Sequence, residues 1–339
     1  MKLIMPSYCT DFKCSADRCS DNCCIGWEID IDEKTADFYS RVSGDFGARL
    51  RESISHAECS SFILKGERCP FLNEKNLCDI IINLGQEHLC QICSDHPRYY
   101  EWFGEIKEGG VGLCCEEAAK LVLGAEKPAE LTETEIPDGE NGEFDEGLFS
   151  LLYEARRIIF AVITDEEHRI KERVATLLSF SEQLQINIDN YRDIIPEGYE
   201  VLNEDKGDIL PVLKSLTALE PIDEGWTAYL DQSIGAYENT ELREDITRYQ
   251  RNLLIYYIYR YFLKGVFDGE ILSKVKLACV STAVISYLVS REKADFTGTV
   301  NICKLFSKQT EYSQENIDLL CDMFYEKTFY ESRKIIGLY

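Results

Sequence analysis

Cys14-Ser15-Ala16-Asp17-Arg18-Cys19-Ser20-Asp21-Asn22-Cys23-Cys24-Ile25-Gly26-Trp27 lies inside a stretch, from Cys9 to Cys115, that carries twelve of the chain's fifteen cysteines in 107 residues. The 224 residues beyond it hold only Cys279, Cys303 and Cys321. Those three read as buried bystanders on helices, since a free thiol packs as a small hydrophobe. Packing gives no cause for clustering on the scale of the first stretch, so its thiols are either cross-linked or hold metal.

Compartment decides between the two. The amino terminus has one basic residue and an apolar run stopped at Pro6, too short for a signal peptide. No uninterrupted apolar run approaches the roughly 18 residues of a membrane helix. A cytoplasmic location is expected, where disulfide frameworks are rare, and the odd cysteine count also argues against full pairing. The formal net charge of -25 disfavours nucleic acid and anionic membrane as partners, because both need a basic surface. A positively charged substrate suits it better.

The fold expected is mainly α: an irregular cysteine-rich metal-cluster domain over residues 1–125, an acidic linker over 126–147 and a helical bundle over 148–339. The linker has nine acidic residues against one lysine, with Pro128, Pro137 and three glycines. Before it, short helices are expected over residues 35–41, 46–55, 79–84 and 114–123, with an extended arm at 25–32 and a turn between residues 99–103 and 108–113. After it, Leu151, Leu152, Ala155, Ile158, Ile159 and Val162 recur at the spacing of one buried helical face. Further helices over 246–262, 277–289 and 317–329 bring the bundle to about five to seven. The tyrosine-rich 249–262 reads as core and groove wall, or as a docking groove for a partner helix.

Structural zinc favours two C-x2-C pairs, and only Cys90-x2-Cys93 is present. Beside it stand the single Cys14, Cys19, Cys69 and Cys78 and the vicinal pairs Cys23-Cys24 and Cys114-Cys115, more thiols than one zinc uses. An iron–sulfur cluster with auxiliary cysteines, or two metal centres, accommodates the number better. Two absences bear on enzyme class. There is no strand–GxGxxG–helix segment for an adenosine cofactor, and the C-x3-C-x2-C run begun at Cys19-x3-Cys23 meets Gly26 at its third position.

Phe12-Lys13-Cys14 through Gly26-Trp27, Cys69-Pro70-Phe71-Leu72, Leu77-Cys78, Leu89-Cys90-x2-Cys93-x2-His96-Pro97-Arg98 and Leu113-Cys114-Cys115-Glu116-Glu117-Ala118-Ala119 together resemble the flagellin lysine-N-methylase family, itself related to zinc- or iron-chelating cysteine domains. The likeness covers roughly the first 120 residues in block order and spacing. It implies methylation of flagellin lysine ε-amines, S-adenosylmethionine as donor and a four-iron (4Fe-4S) cluster taking part, with zinc the alternative metal. The metal ligands it points to are Cys14, Cys19, Cys23, Cys24, Cys69, Cys78, Cys90, Cys93 and Cys115, with Cys114 an additional local thiol.

Other candidates carry two readings each. His96 is a proton acceptor, since a polar transfer needs a neutral lysine amine, or a donor that fixes a cysteine sulfur. Arg98 is a fork for the donor's carboxylate, or the partner of a local acid. Gly109, Gly110 and Gly112 form a turn or let backbone approach a ligand. Trp27 and Tyr99-Tyr100-x-Trp102-Phe103 pack over the cysteine module or line a pocket. A non-enzymatic zinc-stapled interaction module and an iron–sulfur electron-transfer protein remain alternative functions. Protein purified without air should be coloured, with iron and acid-labile sulfide in stoichiometric amounts; colourless protein carrying zinc alone would point to the stapled module.

Overall fold

The computed structural model describes residues 1–339 except 20, 27, 57, 58, 138, 140–142, 193, 223, 238 and 239. Its amino-terminal third is built of short elements, because the sequence there sustains no long apolar period. They are β1 (Lys2–Pro6), α1 (Glu33–Arg41), α2 (Gly44–Glu52), β2 (Ile54–His56), β3 (Ser60–Phe62), α3 (Asp79–Leu84), α4 (Gln91–Asp95), β4 (Arg98–Phe103), β5 (Ile106–Val111), α5 (Glu116–Gly124) and β6 (Leu131–Glu135). Asp32 fixes two of the helices. Its Oδ1 accepts the Thr35 N–H of α1 at 3.0 Å and its Oδ2 accepts the Gln91 N–H of α4 at 2.9 Å, which satisfies a donor that each helix N-terminus would leave orphaned. The extended arm over residues 25–32 buries Ile29 and Ile31 in a small core with Tyr39, Leu50, Phe62 and Phe71.

A four-stranded sheet runs in the order β4-β5-β1-β6, with β1 parallel to β5 and the other pairs antiparallel. Two expectations are corrected here. Gly109 and Gly110 lie inside β5 opposite Tyr100 and Tyr99, not in a turn. A Cβ on them would come within 2.8 Å of the Tyr100 ring and 2.4 Å of the Tyr99 hydroxyl, so the missing side chains let both rings lie across the strand. The acidic segment also supplies β6, which pairs with β1 from Lys2 opposite Glu135 to Pro6 opposite Leu131.

The rest is helical: α6 (Glu146–Thr164), α7 (Ile170–Asp189), α8 (Ile209–Ser215), α9 (Glu224–Gly235), α10 (Thr247–Tyr261), α11 (Gly265–Asp268), α12 (Ile271–Glu292), α13 (Phe296–Glu311), α14 (Gln314–Glu326) and α15 (Ser332–Ile336). That is ten helices among the described residues, more than the five to seven expected. Helix α12 packs among α7, α10, α13 and α14. It is long and apolar enough to cross a membrane, yet 89% of that stretch is buried inside the protein. A helix apolar on all sides and covered on all sides is the core of a large bundle.

Sheet and bundle share one core, in which Phe103, Leu113, Val122 and Leu123 pack with the helices after residue 146. Polar groups cross the same junction. The Tyr259 hydroxyl donates toward the carbonyls of Ile4 (2.8 Å) and Gly109 (3.1 Å). Asn252 Nδ2 reaches the last carbonyls of α5 at Val122 (2.9 Å) and Leu123 (3.1 Å), and that of Ala125 (2.8 Å). Arg156 forks onto Glu108 at 2.7 and 2.5 Å, with side-chain exposures of 2% and 5%. Removing one member of such a pair strands a buried charge, whereas removing both does not. Arg156→Met should therefore cost about 3–5 kcal/mol in urea denaturation, and adding Glu108→Met should recover most of it; equal losses in the single and double variants would contradict this.

Candidate metal site

Five thiols meet at the small core of the amino-terminal third. Cys69 and Cys90 are part of it, and Cys24, Cys78 and Cys93 pack against it. Local geometry brings them there. Cys78 and Cys90 are the residues before α3 and α4, and the Cys69 amide donates to the Cys24 carbonyl at 2.9 Å. Among the described residues no cysteine is joined in a disulfide. A bond from Cys93 lowers the pKa of Cys90 against its burial, and the same bond raises Cys93. A bond from Cys24 likewise brings Cys23 down to about 7 and raises Cys24. Burial pushes Cys69 up to about 11, with the charges of Cys78 and Cys90 adding to it.

A second group lies at the start of α5. Cys115 precedes the helix and accepts the N–H groups of Ala118 and Glu117, yet burial still raises its thiol to about 12, helped by Cys114 and Cys19. Cys114 faces away, toward the Tyr312 hydroxyl, and burial raises it to about 11. Cys9 packs beside Cys115. Burial also raises the half-buried Cys19. Cys14 is exposed, its sulfur accepting the Ala16 N–H at 3.4 Å. The candidate ligands thus sort into Cys24, Cys69, Cys78, Cys90 and Cys93 with Cys23 at their edge, and Cys19 with Cys115, leaving Cys14 on the surface.

His96 directly follows α4, and burial, then the charge of Lys308, hold its pKa down to about 4. Arg98 opens β4 with its guanidinium carbon 5.0 Å from the centre of the Phe12 ring, and no ion pair holds it among the described residues. Tyr99 lies under Arg260 at 4.4 Å and edge-on to Tyr256 at 6.5 Å. Phe103 stacks on Phe149 and Phe267. These two rings therefore pack. Trp27 lies outside the described residues.

Several neighbours of the thiols escaped the sequence. Lys304 (3.5 Å) and Lys308 of α13 converge on Asp21, two residues before Cys23. Burial works against the Asp21 carboxylate, but the two lysines outweigh it and hold its pKa below the usual range. Asp21 and Lys308 are 287 residues apart in the chain, so no local pattern could have paired them. A groove of ≈ 600 Å³ lined by Tyr8, Asp11, Lys120, Leu121 and Glu126 opens beside the far end of α5, away from the five-thiol core.

The donor chemistry suits a soft metal, since the grouped side chains are all sulfur. Cys24, Cys69, Cys78 and Cys90 each raise the pKa of another thiol there, and a bound cation removes that repulsion. Geometry is less complete. Among the described residues no three His, Cys, Asp or Glu side chains stand close enough to hold an ion, so metal binding would require the sulfurs to turn inward.

A mainly α body carrying a thiol-rich amino-terminal third defines the class of protein. The FliB lysine N-methylase C-terminal domain matches residues 156–338, and the chain belongs to that family. It is 28% identical over 139 residues to lysine-N-methylases of Salmonella choleraesuis and Salmonella typhimurium, the match covering 39% of this chain and 35% of each relative. It is 29% identical over 126 residues to the flagellar biosynthetic protein FliU of Salmonella muenchen, covering 35% of this chain and 75% of that protein. The chain thus spans about a third of the length of the lysine-N-methylases it matches. No solved structure matches.

The His96 environment gives a pH signature. Above about 6.5 the imidazole is neutral both folded and unfolded. As pH falls from there toward about 4, the unfolded chain takes up a proton that the folded chain refuses, and stability is lost across that window. His96→Gln should flatten the stability profile in that interval when urea midpoints are followed against pH; an unchanged slope would show that other groups set it.

Proposed function

We propose that this protein transfers methyl groups from S-adenosylmethionine to lysine ε-amines of flagellin in the cytoplasm, with an iron–sulfur centre held by the amino-terminal thiols. The observation that carries the activity is the family match over residues 156–338, joined by the relatives named lysine-N-methylase. Flagellin as the substrate is supported by the sequence resemblance and by the flagellar name of a third relative. An iron–sulfur centre, when bound, supplies a Lewis-acidic or one-electron partner for the sulfonium donor, and zinc would supply only the former.

In overall balance the donor's S–CH₃ bond breaks, an N–CH₃ bond forms and the lysine nitrogen sheds one proton. The amine is protonated in water, with a pKa of about 10.4, so the site must lower that value or accept the proton. His96, with a pKa near 4, keeps a proton poorly; its role in this reading is to orient a neighbouring group through a ring nitrogen. Arg98 is stacked and has no ion pair among the described residues, which leaves its donor fork for the carboxylate of the methyl donor. The acidic surface attracts the lysine-bearing substrate.

The test is anaerobically purified protein incubated with flagellin and methyl-labelled S-adenosylmethionine. Label on lysine is expected, together with a fall in labelling for Arg98→Lys that appears as a raised KM for the donor. Absence of label on flagellin, with metal content intact, would remove the proposal.

A further inference from the structure

We propose that Tyr256, Arg260 and Glu311 are positioning residues, through which the helical body holds the turn Gly112-Leu113-Cys114-Cys115 in register. The inference rests on the methylase reading only in treating that turn as part of the reactive centre. It begins at the Leu113 amide, whose N–H donates to the buried Tyr256 hydroxyl at 3.2 Å. Arg260 Nη1 donates to the same oxygen at 2.7 Å, and the hydroxyl donates to Glu311 Oε2 at 2.8 Å. A phenol has one proton and two lone pairs, so this hydroxyl is fully used. Glu311 Oε2 also takes Arg260 Nη1 at 2.7 Å and the Tyr261 hydroxyl at 3.1 Å.

The carboxylate is 2% exposed, yet its other oxygen, Oε1, is buried with no hydrogen-bond partner among the described residues. Leaving a buried acceptor unmet is costly to the fold. A carboxylate placed for stability alone would divide its donors between both oxygens. Here every bond converges on the one that faces the Tyr256 hydroxyl, and hence the turn.

Three further contacts point the same way. Tyr312, adjacent to Glu311, bonds the Cys114 thiol through its hydroxyl. Gly112 lies so close that a Cβ would meet Cys114 Sγ at 3.2 Å and Arg260 Nη1 at 3.3 Å, so turn and guanidinium are fitted to each other without slack. The turn is closed internally by Cys115 N–H to Gly112 O at 3.2 Å and anchored by Gly112 N–H to Pro97 O at 2.8 Å. Its Leu113 amide, in contrast, is satisfied by α10. The turn's placement therefore depends on a residue 143 positions away.

The test is Tyr256→Phe in the full chain, with Glu311→Gln as the second variant should the first fold poorly. Each thiol's alkylation by iodoacetamide is timed by mass spectrometry in anaerobically purified protein. Loss of the hydroxyl, and with it the bonds to the Leu113 amide, Arg260 and Glu311, should speed labelling of Cys114 and Cys115 roughly tenfold by local opening, while Cys69, Cys279 and Cys303 keep their wild-type rates. Flagellin methylation should lose kcat with KM for flagellin unchanged. Equal acceleration of all five thiols would show that the network merely holds the fold together, and unchanged rates at Cys114 and Cys115 would overturn the inference outright. If wild-type protein transfers no methyl group, the methylase reading fails while the alkylation pattern still decides the positioning role.

Discussion

The polar seam along α10 is the constraint on which the rest of the structure depends. Asn252, Tyr256, Tyr259 and Arg260 recur at the spacing of one helical face, and the first three bond to main-chain groups of the amino-terminal third. Leu253, Leu254, Tyr257, Ile258 and Tyr261 of the same helix are buried as well. A helix buried on every side must find partners for each polar group it carries, because an orphaned donor or acceptor in the interior is costly. The carbonyls of β1, β5 and α5 and the Leu113 amide provide them. The docking groove that the tyrosine-rich stretch suggested is thus filled by the protein's own sheet and its last short helix.

This arrangement explains how a thiol-rich segment without a large core of its own stays ordered. Its small apolar cluster is limited to residues between Cys24 and Cys93. Beyond it, order is imported from the bundle through the Arg156–Glu108 pair, the α10 seam, and the Lys304 and Lys308 contacts to Asp21. The region matched by the FliB family is the helical body, while the cysteines lie almost wholly before it. Function on the proposed reading requires both parts, and the residues that join them are the link.

Much of this was legible from sequence. The buried faces of α6 and α10 and the burial of Cys279, Cys303 and Cys321 all follow from local pattern. The sheet was hidden for physical reasons. Strand β1 is five residues long, β6 is Leu-Thr-Glu-Thr-Glu in an acidic background, and the β5 glycines signal a turn unless the tyrosine rings that need their space are known. Helix α13 was missed because Thr297, Gly298, Thr299 and Asn301 are weak helix formers. That omission concealed Lys304, Lys308, Glu311 and Tyr312, which face the thiols. The cysteines announced a site, but which sulfur faces which neighbour is a tertiary fact.

The central claim is that the sheet, α5 and the helical bundle open as one cooperative unit tied by α10. Native-state hydrogen exchange followed by mass spectrometry measures this directly. The account predicts that amides of β5 and α5 exchange with the same opening free energy as those of α10 and α12, and respond equally to low urea. Exchange of β5 and α5 through a separate opening of much lower free energy, with α10 still protected, would contradict it.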